Sequence, residues 1–432
     1  MRVALVNPRW SFDGSIYFGC SAPHLPLEFG YARALLAQAG HRSLLVDAHL
    51  FDVSTDEIPR QVADFGAEMT VVTTAPSYLF WRCAPPELRV PRETLQALAG
   101  IGGLKVAVGP HPSTTPRTAV RKLGCDVAVM GECEETLTRL ATGERQGLPG
   151  IAYADGDAVR VNGGPQAARF VDSAALAWDE RAIALHHHHH HRFDLVDAGK
   201  PSGPGAEVEA SRGCPYRCTF CAKETFRDAY RRRALPLLLA EIDGLLSQGV
   251  EYVYFIDEIF LPDRGLLEAL AARSLRFGVQ TRIDLWKPDM LALLGRAGCV
   301  SIEAGVESLT ANGRERLAKN CRIDTAALTE RLIFAKQHVP FVQGNLIATA
   351  DDDPEAIAAW RSELRDNGVW ANDPVPMYPY PGSPDYRLRW GLPDDEAWER
   401  SHAAYLETFD RFSDLQSERP AALAELERCC AS

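Results

Sequence analysis

Val208-Glu-Ala-Ser-Arg-Gly-Cys214-Pro-Tyr-Arg-Cys218-Thr-Phe-Cys221 is the stretch around which the second half of the chain is organised. A predicted strand ends within it, and the loop after the strand carries three cysteines in a CxxxCxxC pattern. Three thiolates on one short loop can bind three irons of a 4Fe-4S cubane, because soft sulfur is the preferred ligand of such clusters. The fourth iron then stays open to a bound molecule. We therefore predict an iron-sulfur cluster on Cys214, Cys218 and Cys221.

Two other interpretations of the three cysteines were weighed against the cluster. A structural zinc site needs four ligands, usually as two separated pairs, and no second CxxC or HxxxH pair follows at finger-like spacing. Chance clustering of buried cysteines is disfavoured because all three lie within one short loop at the end of a strand. The remaining cysteines are scattered, and we interpret them as small buried apolar residues.

The region around this loop, about residues 206–390, alternates six predicted strands with helices, which fits a partial (β/α)6 barrel. The predicted strands are Val208–Ser211, Tyr252–Asp257, Gly278–Ile283, Val300–Gly305, Val342–Thr349 and Trp370–Pro376. Catalytic groups of β/α barrels cluster at the carboxyl ends of the strands. Chemistry is therefore expected at the end of the barrel that carries the cysteine loop.

Residues 1–146 also alternate short apolar strands with helices, which predicts a separate doubly wound parallel sheet. The predicted strands are Val3–Val6, Leu44–Asp47, Met69–Thr74, Lys105–Gly109 and Asp126–Met130. Such sheets bind ligands beyond the carboxyl ends of their strands. The fold class predicted for the whole chain is α/β, with two domains.

Two further segments complete the predicted organisation. Residues 147–205 are rich in Gly, Pro and Asp and are predicted to be a linker that contains a hairpin at Ile151–Val161. The six histidines of His186–His191 could chelate a metal, form a solvated loop or be an expression tag, and we assign them no function. Residues 391–432 are predicted to be helical and to pack on the barrel.

Charge and hydropathy restrict the partners. The 432 residues carry a net charge of −12, so there is no general basic field to attract nucleic acid or anionic lipid. No apolar run approaches the ~20 residues that span a bilayer, and the amino terminus enters a strand pattern directly. We expect a cytoplasmic protein with a small-molecule substrate, no nucleic acid and no membrane partner.

The cysteine loop, with aromatic Phe220 before its last cysteine, resembles the signature of the radical S-adenosylmethionine (SAM) superfamily. The resemblance implies that SAM binds the open iron and that an electron from a donor such as flavodoxin or ferredoxin cleaves it to a 5′-deoxyadenosyl radical. It also implies SAM contacts from Phe220, Asp257, Glu258, Arg282, Glu303 and Glu307. Two alternatives remain: Asp257 or Asp263 caps the next helix, and Arg282 forms a structural salt bridge.

The first domain resembles the cobalamin-binding domain that precedes the barrel in one subgroup of this superfamily. The similar segments are the strand ends Val3–Pro8, Val71–Thr74, Val106–Thr114 and Val129–Glu134. The resemblance implies cobalamin contacts from Asn7, Thr73, Thr74, Ser77, Gly109, His111, Ser113, Gly131 and Glu132. The histidine of a DxHxxG loop is missing after the first strand, and His49 is interpreted as incidental, so the lower axial ligand of the cobalt stays open.

Both resemblances together imply an enzyme that methylates an unactivated carbon of a small molecule with a 4Fe-4S cluster, SAM and cobalamin. The first alternative is a cobalamin-dependent radical SAM enzyme that cyclises, rearranges or oxidises its substrate without methyl transfer. The second is a non-catalytic iron-sulfur sensor or scaffold. The sequence does not identify the substrate.

Overall fold

A computed structural model describes residues 1–16, 22–77, 84–186, 203–227, 229–409 and 419–428. In this part of the chain there are two main sheets, one in each half, which are largely parallel and are covered by helices. The chain is therefore α/β with the predicted order of the two sheets. No helix in the described ranges combines the length and the apolar character needed to cross a bilayer.

The first sheet has seven strands in the order β2-β1-β3-β4-β5-β6-β7. They are β1 Arg2–Asn7, β2 Arg42–Asp47, β3 Met69–Thr73, β4 Leu104–Val108, β5 Val127–Val129, β6 Ile151–Asp155 and β7 Ala158–Asn162. Strands β1 to β5 are parallel, and the core strands are runs of Val, Leu and Ala buried on both faces, as in other parallel sheets. All five predicted strands are present.

The predicted hairpin at residues 151–161 forms, but it belongs to the first sheet. Strand β6 pairs antiparallel with β5, and β7 pairs with β6. Residues 151–162 therefore extend the sheet instead of lying in a linker. The helices of this half are α1 Leu27–Gln38, α2 Ile58–Phe65, α3 Arg89–Ala97, α4 Pro110–Thr114, α5 Pro116–Leu123 and α6 Glu134–Ala141.

The second sheet has six parallel strands in the order β8-β11-β12-β13-β14-β15. They are β8 Gly205–Val208, β11 Tyr252–Phe255, β12 Arg276–Thr281, β13 Cys299–Glu307, β14 Phe341–Leu346 and β15 Trp370–Ala371. The helices of this half are α7 Glu180–Leu185, α8 Leu235–Ser247, α9 Arg264–Ala271, α10 Pro288–Arg296, α11 Ala311–Arg316, α12 Thr325–Lys336 and α13 Pro354–Asp366. The six predicted strands are all found, with bounds that differ by a few residues.

The first predicted barrel strand is split in two. Strand β8 ends at Val208, and Ser211–Arg212 forms β9, which pairs antiparallel with β10, Arg231–Arg232. The cysteine loop therefore leaves from one strand of a two-stranded ribbon and returns through the other. This ribbon anchors both ends of the loop.

Helix α14, Pro384–Trp390, ends just before the tail, which contains α15 Ala397–Thr408 and α16 Leu423–Leu426. It contacts the barrel half, since Ser401 donates a hydrogen bond to the Pro379 carbonyl at 2.7 Å. It also packs on the first domain: Trp398 Nε1 donates to Thr115 Oγ1 at 3.2 Å. The prediction that the tail packs on the barrel was therefore incomplete.

His186, the first residue of the histidine run, ends α7 and is buried. Its Nδ1 lies 2.6 Å from the Gly205 carbonyl, and its Nε2 lies 3.3 Å from a carboxylate oxygen of Glu207 on β8. His24 contacts the other oxygen of that carboxylate at 2.9 Å. His186 therefore has a structural position, while His187–His191 lie outside the described residues.

Candidate active site

The cysteine loop begins with a glycine that no other residue can replace without strain. Gly213 has a φ of 79°, and a Cβ there would lie 2.2 Å from the Ala229 carbonyl oxygen. The loop then turns on itself, with Cys221 N donating to the Cys218 carbonyl at 3.2 Å. Cys214, Cys218 and Cys221 are half-buried and form no disulfide. Three thiols on one tight loop fit the ligand set of the predicted cluster.

Asp257 and Glu258 follow β11 and support the backbone of this loop. The Asp257 carboxylate accepts hydrogen bonds from Ala210 N, at 2.8 Å, and from the Ser211 hydroxyl. The Glu258 carboxylate accepts from Gly213 N at 2.6 Å. Burial raises the pKa of Asp257 to about 8. The helix-cap alternative applies to Asp263, which accepts from Leu266 N at the start of α9, and not to Asp257.

Arg282, after β12, forms the salt bridge that the alternative interpretation proposed. Its Nε and Nη2 contact the two carboxylate oxygens of Asp284 at 3.0 and 2.7 Å. The guanidinium also lies over the ring of Tyr216, in the cysteine loop, at 4.0 Å. Its Nη1 is buried and has no hydrogen-bond partner among the described residues. One donor of Arg282 is thus left for a ligand beside the loop.

Glu303 and Glu307 lie on β13. Glu303 is half-buried and in register with Gln280 of β12 and Gln343 of β14. Glu307 comes after an irregularity in the β13–β14 pairing and has a φ of 68°, which is unusual for a residue other than glycine. Its Oε1 accepts from Lys319 Nζ at 2.6 Å. The Glu307 carboxylate is therefore held by a lysine that the sequence analysis missed.

Lys319 is buried, with 1% of its side chain exposed. The residues on both sides, Ala318 and Asn320, have φ values of 49° and 52°, so a sharp turn directs the lysine inward. Burial raises the pKa of the Cys218 thiol, and the Lys319 ammonium opposes this effect, which places the lysine beside the cysteine loop. No motif surrounds Lys319, so only its three-dimensional position identifies it.

The residues predicted to contact cobalamin all lie at or near the carboxyl edge of the first sheet, in two groups. The hydroxyls of Thr73 and Thr74 are buried without a hydrogen-bond partner among the described residues. Gly109, with a φ of 129°, leaves room for Thr74, since a Cβ there would lie 2.5 Å from the Thr74 hydroxyl. Buried hydroxyls without partners at a sheet edge fit a polar ligand.

The other predicted cobalamin residues have partners inside the protein. Asn7 binds Asp47 and Trp10, and Ser77 donates to Glu28. Ser113 donates to the Gly109 carbonyl and accepts from Gly131 N. These contacts order the edge, and cobalamin contact by this group remains a prediction.

His111 and Glu132 are the two ionisable side chains of this set, and both are buried. The His111 ring lies 4.4 Å from the ring of Trp398 in the tail, and burial lowers the pKa of His111 to about 3. Glu132 is buried among Arg212, Arg231 and the backbone of Ala168. Burial alone would raise the pKa of Glu132, but the arginines hold it below the usual value.

The cysteine loop and the carboxyl edge of the first sheet, the two candidate cofactor sites, lie next to each other. Helix α4, which follows β4 of the first sheet, packs beside Lys223–Thr225, directly after the third cysteine. Tyr378–Pro384 also reaches this place, because Gly382 lies against Thr225. The carboxyl ends of both sheets therefore face a common region.

Comparison with known proteins finds a family model that matches part of the second domain. The family model of the radical SAM superfamily matches residues 208–342. An anaerobic magnesium-protoporphyrin IX monomethyl ester cyclase from Cereibacter sphaeroides is 27% identical over 71% of this chain and 50% of its own length. A bacteriochlorophyllide d C-12(1)-methyltransferase from Chlorobaculum tepidum is 25% identical over 66% of this chain and 59% of its own length. The chain thus spans only half to three fifths of these two relatives.

A solved structure extends the similarity to both domains. The radical SAM methyltransferase TsrM from Kitasatospora setae, with cobalamin and a [4Fe-4S] cluster bound, has a TM-score of 0.67 and 17% identity. The match covers 89% of this chain and 76% of that protein. At this identity the likeness shows a shared fold, with an N-terminal domain followed by a radical SAM barrel.

Proposed function

Since residues 208–342 form a domain of the radical SAM superfamily, we propose that this protein is a cobalamin-dependent radical SAM enzyme that methylates an unactivated carbon of a small molecule. Cys214, Cys218 and Cys221 hold the 4Fe-4S cluster. When bound, the cluster supplies an electron that cleaves SAM to a 5′-deoxyadenosyl radical, and cobalamin supplies a methyl group. The observation that carries the proposal is the adjacency of the cysteine loop and the carboxyl edge of the first sheet.

The chain's own residues supply binding and orientation. Arg282 Nη1 and the Lys319 ammonium are buried cations beside the cysteine loop. Charge-assisted hydrogen bonds from such donors suit a carboxylate, so we propose that they bind the carboxylate of SAM. Asp257 and Glu258 hold the backbone at the start of the loop, and their contact with the amine of SAM remains a prediction. Thr73 and Thr74 offer their hydroxyls to the amides of the corrin.

The test uses anaerobically reconstituted protein, SAM labelled in its methyl group, and a strong chemical reductant. We expect iron, sulfide and cobalt in the purified protein, and both 5′-deoxyadenosine and S-adenosylhomocysteine as products. Deoxyadenosine without S-adenosylhomocysteine would contradict methyl transfer. Replacing any of the three loop cysteines by alanine should abolish iron loading and cleavage, whereas Cys125→Ala, a buried cysteine of the first domain, should leave both intact.

A second candidate is a cobalamin-dependent cyclase, because one relative that aligns with most of this chain is named as a cyclase. It would form deoxyadenosine in step with its product and release the labelled methyl group in methionine, without S-adenosylhomocysteine. The reductant is expected to be a small electron-transfer protein such as flavodoxin or ferredoxin. Replacing the chemical reductant by flavodoxin or ferredoxin tests the identity of the electron donor separately.

A further inference from the structure

We propose that Arg212 is a positioning residue that locks the cysteine loop onto the first domain and so sets the distance between the two cofactor sites. The identity of those cofactors rests on the proposed function, but the contacts of Arg212 do not. Arg212 lies two residues before Cys214 and is 1% exposed. No sequence motif indicated a role for it.

The guanidinium of Arg212 reaches into the first domain. Its Nη1 lies 3.2 Å from Glu132 and 2.8 Å from Glu134, at the end of β5 and the start of α6. Its Cζ lies 4.7 Å from the ring centre of Tyr31 and 4.5 Å from that of Phe170, two rings that meet edge to face. A guanidinium held by carboxylates and packed against two aromatic rings has little freedom to move.

A second set of contacts runs from Arg212 to the cysteine loop. Arg212 Nη2 contacts Glu209 at 3.0 Å, and the other oxygen of Glu209 contacts Arg227. Arg227 also contacts Glu258 at 3.1 Å, and Glu258 accepts from Gly213 N at 2.6 Å. Every side chain on this path is buried. The path therefore joins the edge of the first sheet to the backbone beside Cys214.

The ion pairs of this path are better suited to fixing the position of the cysteine loop than to stabilising the folded protein. A buried ion network is often no more stabilising than apolar packing of the same volume. Its groups are directional, however, because each carboxylate and guanidinium must meet its partner in a narrow range of angles. A lysine at position 212 would keep the charge but lose the fork that contacts both domains at once.

The experiment compares wild type, Arg212→Gln and Arg212→Lys as full-length reconstituted proteins, with Arg139→Gln as the matched control. Arg139 lies in the same domain as Glu132 and forms an exposed ion pair with Glu144. The readout is the distance distribution between the reduced cluster and cob(II)alamin, measured by pulsed electron paramagnetic resonance. A role in folding alone would lower cofactor content without changing this distribution.

We expect a narrow distance distribution in wild type and in Arg139→Gln. In Arg212→Gln, at equal iron and cobalt content, the distribution should be at least about twice as broad, and Arg212→Lys should recover part of the wild-type narrowness. A wild-type distribution in Arg212→Gln overturns the proposal. Should Arg212→Gln not hold its cofactors, Glu134→Gln, which removes one charge and keeps the side-chain volume, takes its place with the same expected broadening.

Absence of cobalt from the wild type would refute the corrin half of the proposed function and not the role of Arg212. In that case the role of Arg212 is tested by amide hydrogen exchange, which is measured in residues 127–141 of the first domain and in residues 213–221 of the loop. Arg212→Gln should speed exchange in both segments by at least about tenfold, and Arg139→Gln should not affect the loop. Faster exchange in the loop alone overturns the proposal.

Discussion

At the scale of single residues, the site contains an unusual concentration of backbone strain. Four residues other than glycine have a positive φ in the described chain, and three of them, Glu307, Ala318 and Asn320, surround Lys319. Each such residue costs of order 1 kcal/mol, and strain of this kind tends to occur where function requires a fixed geometry. The Glu307–Lys319 pair is therefore a candidate for direct contact with SAM.

Lys319→Met tests that role, because methionine keeps the apolar stem and removes the charge. A charge-assisted hydrogen bond contributes about 1.5–3 kcal/mol, so we expect the KM for SAM in reductive cleavage to rise roughly 10- to 100-fold. Lys336→Met, at the carboxyl end of α12, should leave the KM unchanged. An unchanged KM in iron-loaded Lys319→Met would show that the lysine serves only Glu307.

Glu28 makes the protein sensitive to alkaline pH. Burial raises the pKa of Glu28 from 4.5 to about 8, so the folded protein keeps a proton that the unfolded chain releases. Stability is therefore lost as the pH rises from 4.5 through about 8. Glu28→Gln should reduce the fall in Tm between about pH 5.5 and about pH 8.5, measured by calorimetry, and exposed Glu363→Gln should not. Asp257 acts in the same direction, so part of the fall should remain.

At the scale of elements, the ribbon of β9 and β10 explains how a short loop can present three cysteines. The ribbon closes both ends of the loop, and Gly213 makes the first turn with a backbone conformation that side chains disfavour. Asp257 and Glu258 at the end of β11 then accept the hydrogen bonds of the loop's first residues. Contacts within the protein thus hold both ends of the loop.

Gly213→Ala should prevent cluster assembly. The added methyl group would lie 2.2 Å from the Ala229 carbonyl oxygen, so the backbone would have to move away from Glu258. We expect iron and sulfide per chain to fall severely after reconstitution. Gly244→Ala in α8 is the matched control: its Cβ would meet nothing within 4 Å, and alanine should stabilise that helix by up to about 1 kcal/mol. Full iron loading in Gly213→Ala would contradict this account of the loop.

At the scale of the whole molecule, the tail joins the two domains from outside. Trp398 is buried against His111 and donates to Thr115, while Ser401 of the same helix binds the barrel half. The tail therefore holds the first sheet and the barrel together at a second place, apart from Arg212.

Trp398→Ala should weaken this second contact. Truncation of a buried tryptophan typically costs about 3–5 kcal/mol, so we expect a clearly lower Tm and faster hydrogen exchange in residues 110–123. Leu388→Ala, at a side chain that is 87% exposed, should change neither. Loss of stability without faster exchange in that segment would mean that the tail does not support the first domain.

The sequence predicted the parallel strands of both sheets, because apolar runs flanked by helices are a local signal, but it did not predict that the hairpin joins the first sheet. The three cysteines also stand out by a local spacing, and their role as cluster ligands remains a prediction. The sequence did not predict Lys319, Arg212 or Arg227, because their partners lie far away in the chain and no motif marks them. Glu132 remains a predicted cobalamin contact, and its arginine partners from the other domain were not predicted for the same reason.

The anchoring of His186 has a practical consequence for handling the protein. Its imidazole belongs to the packing around the first barrel strand through Gly205 and Glu207, so any shortening of the run should start at His187. We expect serine at His187–His191 to preserve the Tm while weakening retention on a nickel resin. Serine at His186 should lower the Tm, because it leaves an interior carboxylate with one basic neighbour fewer.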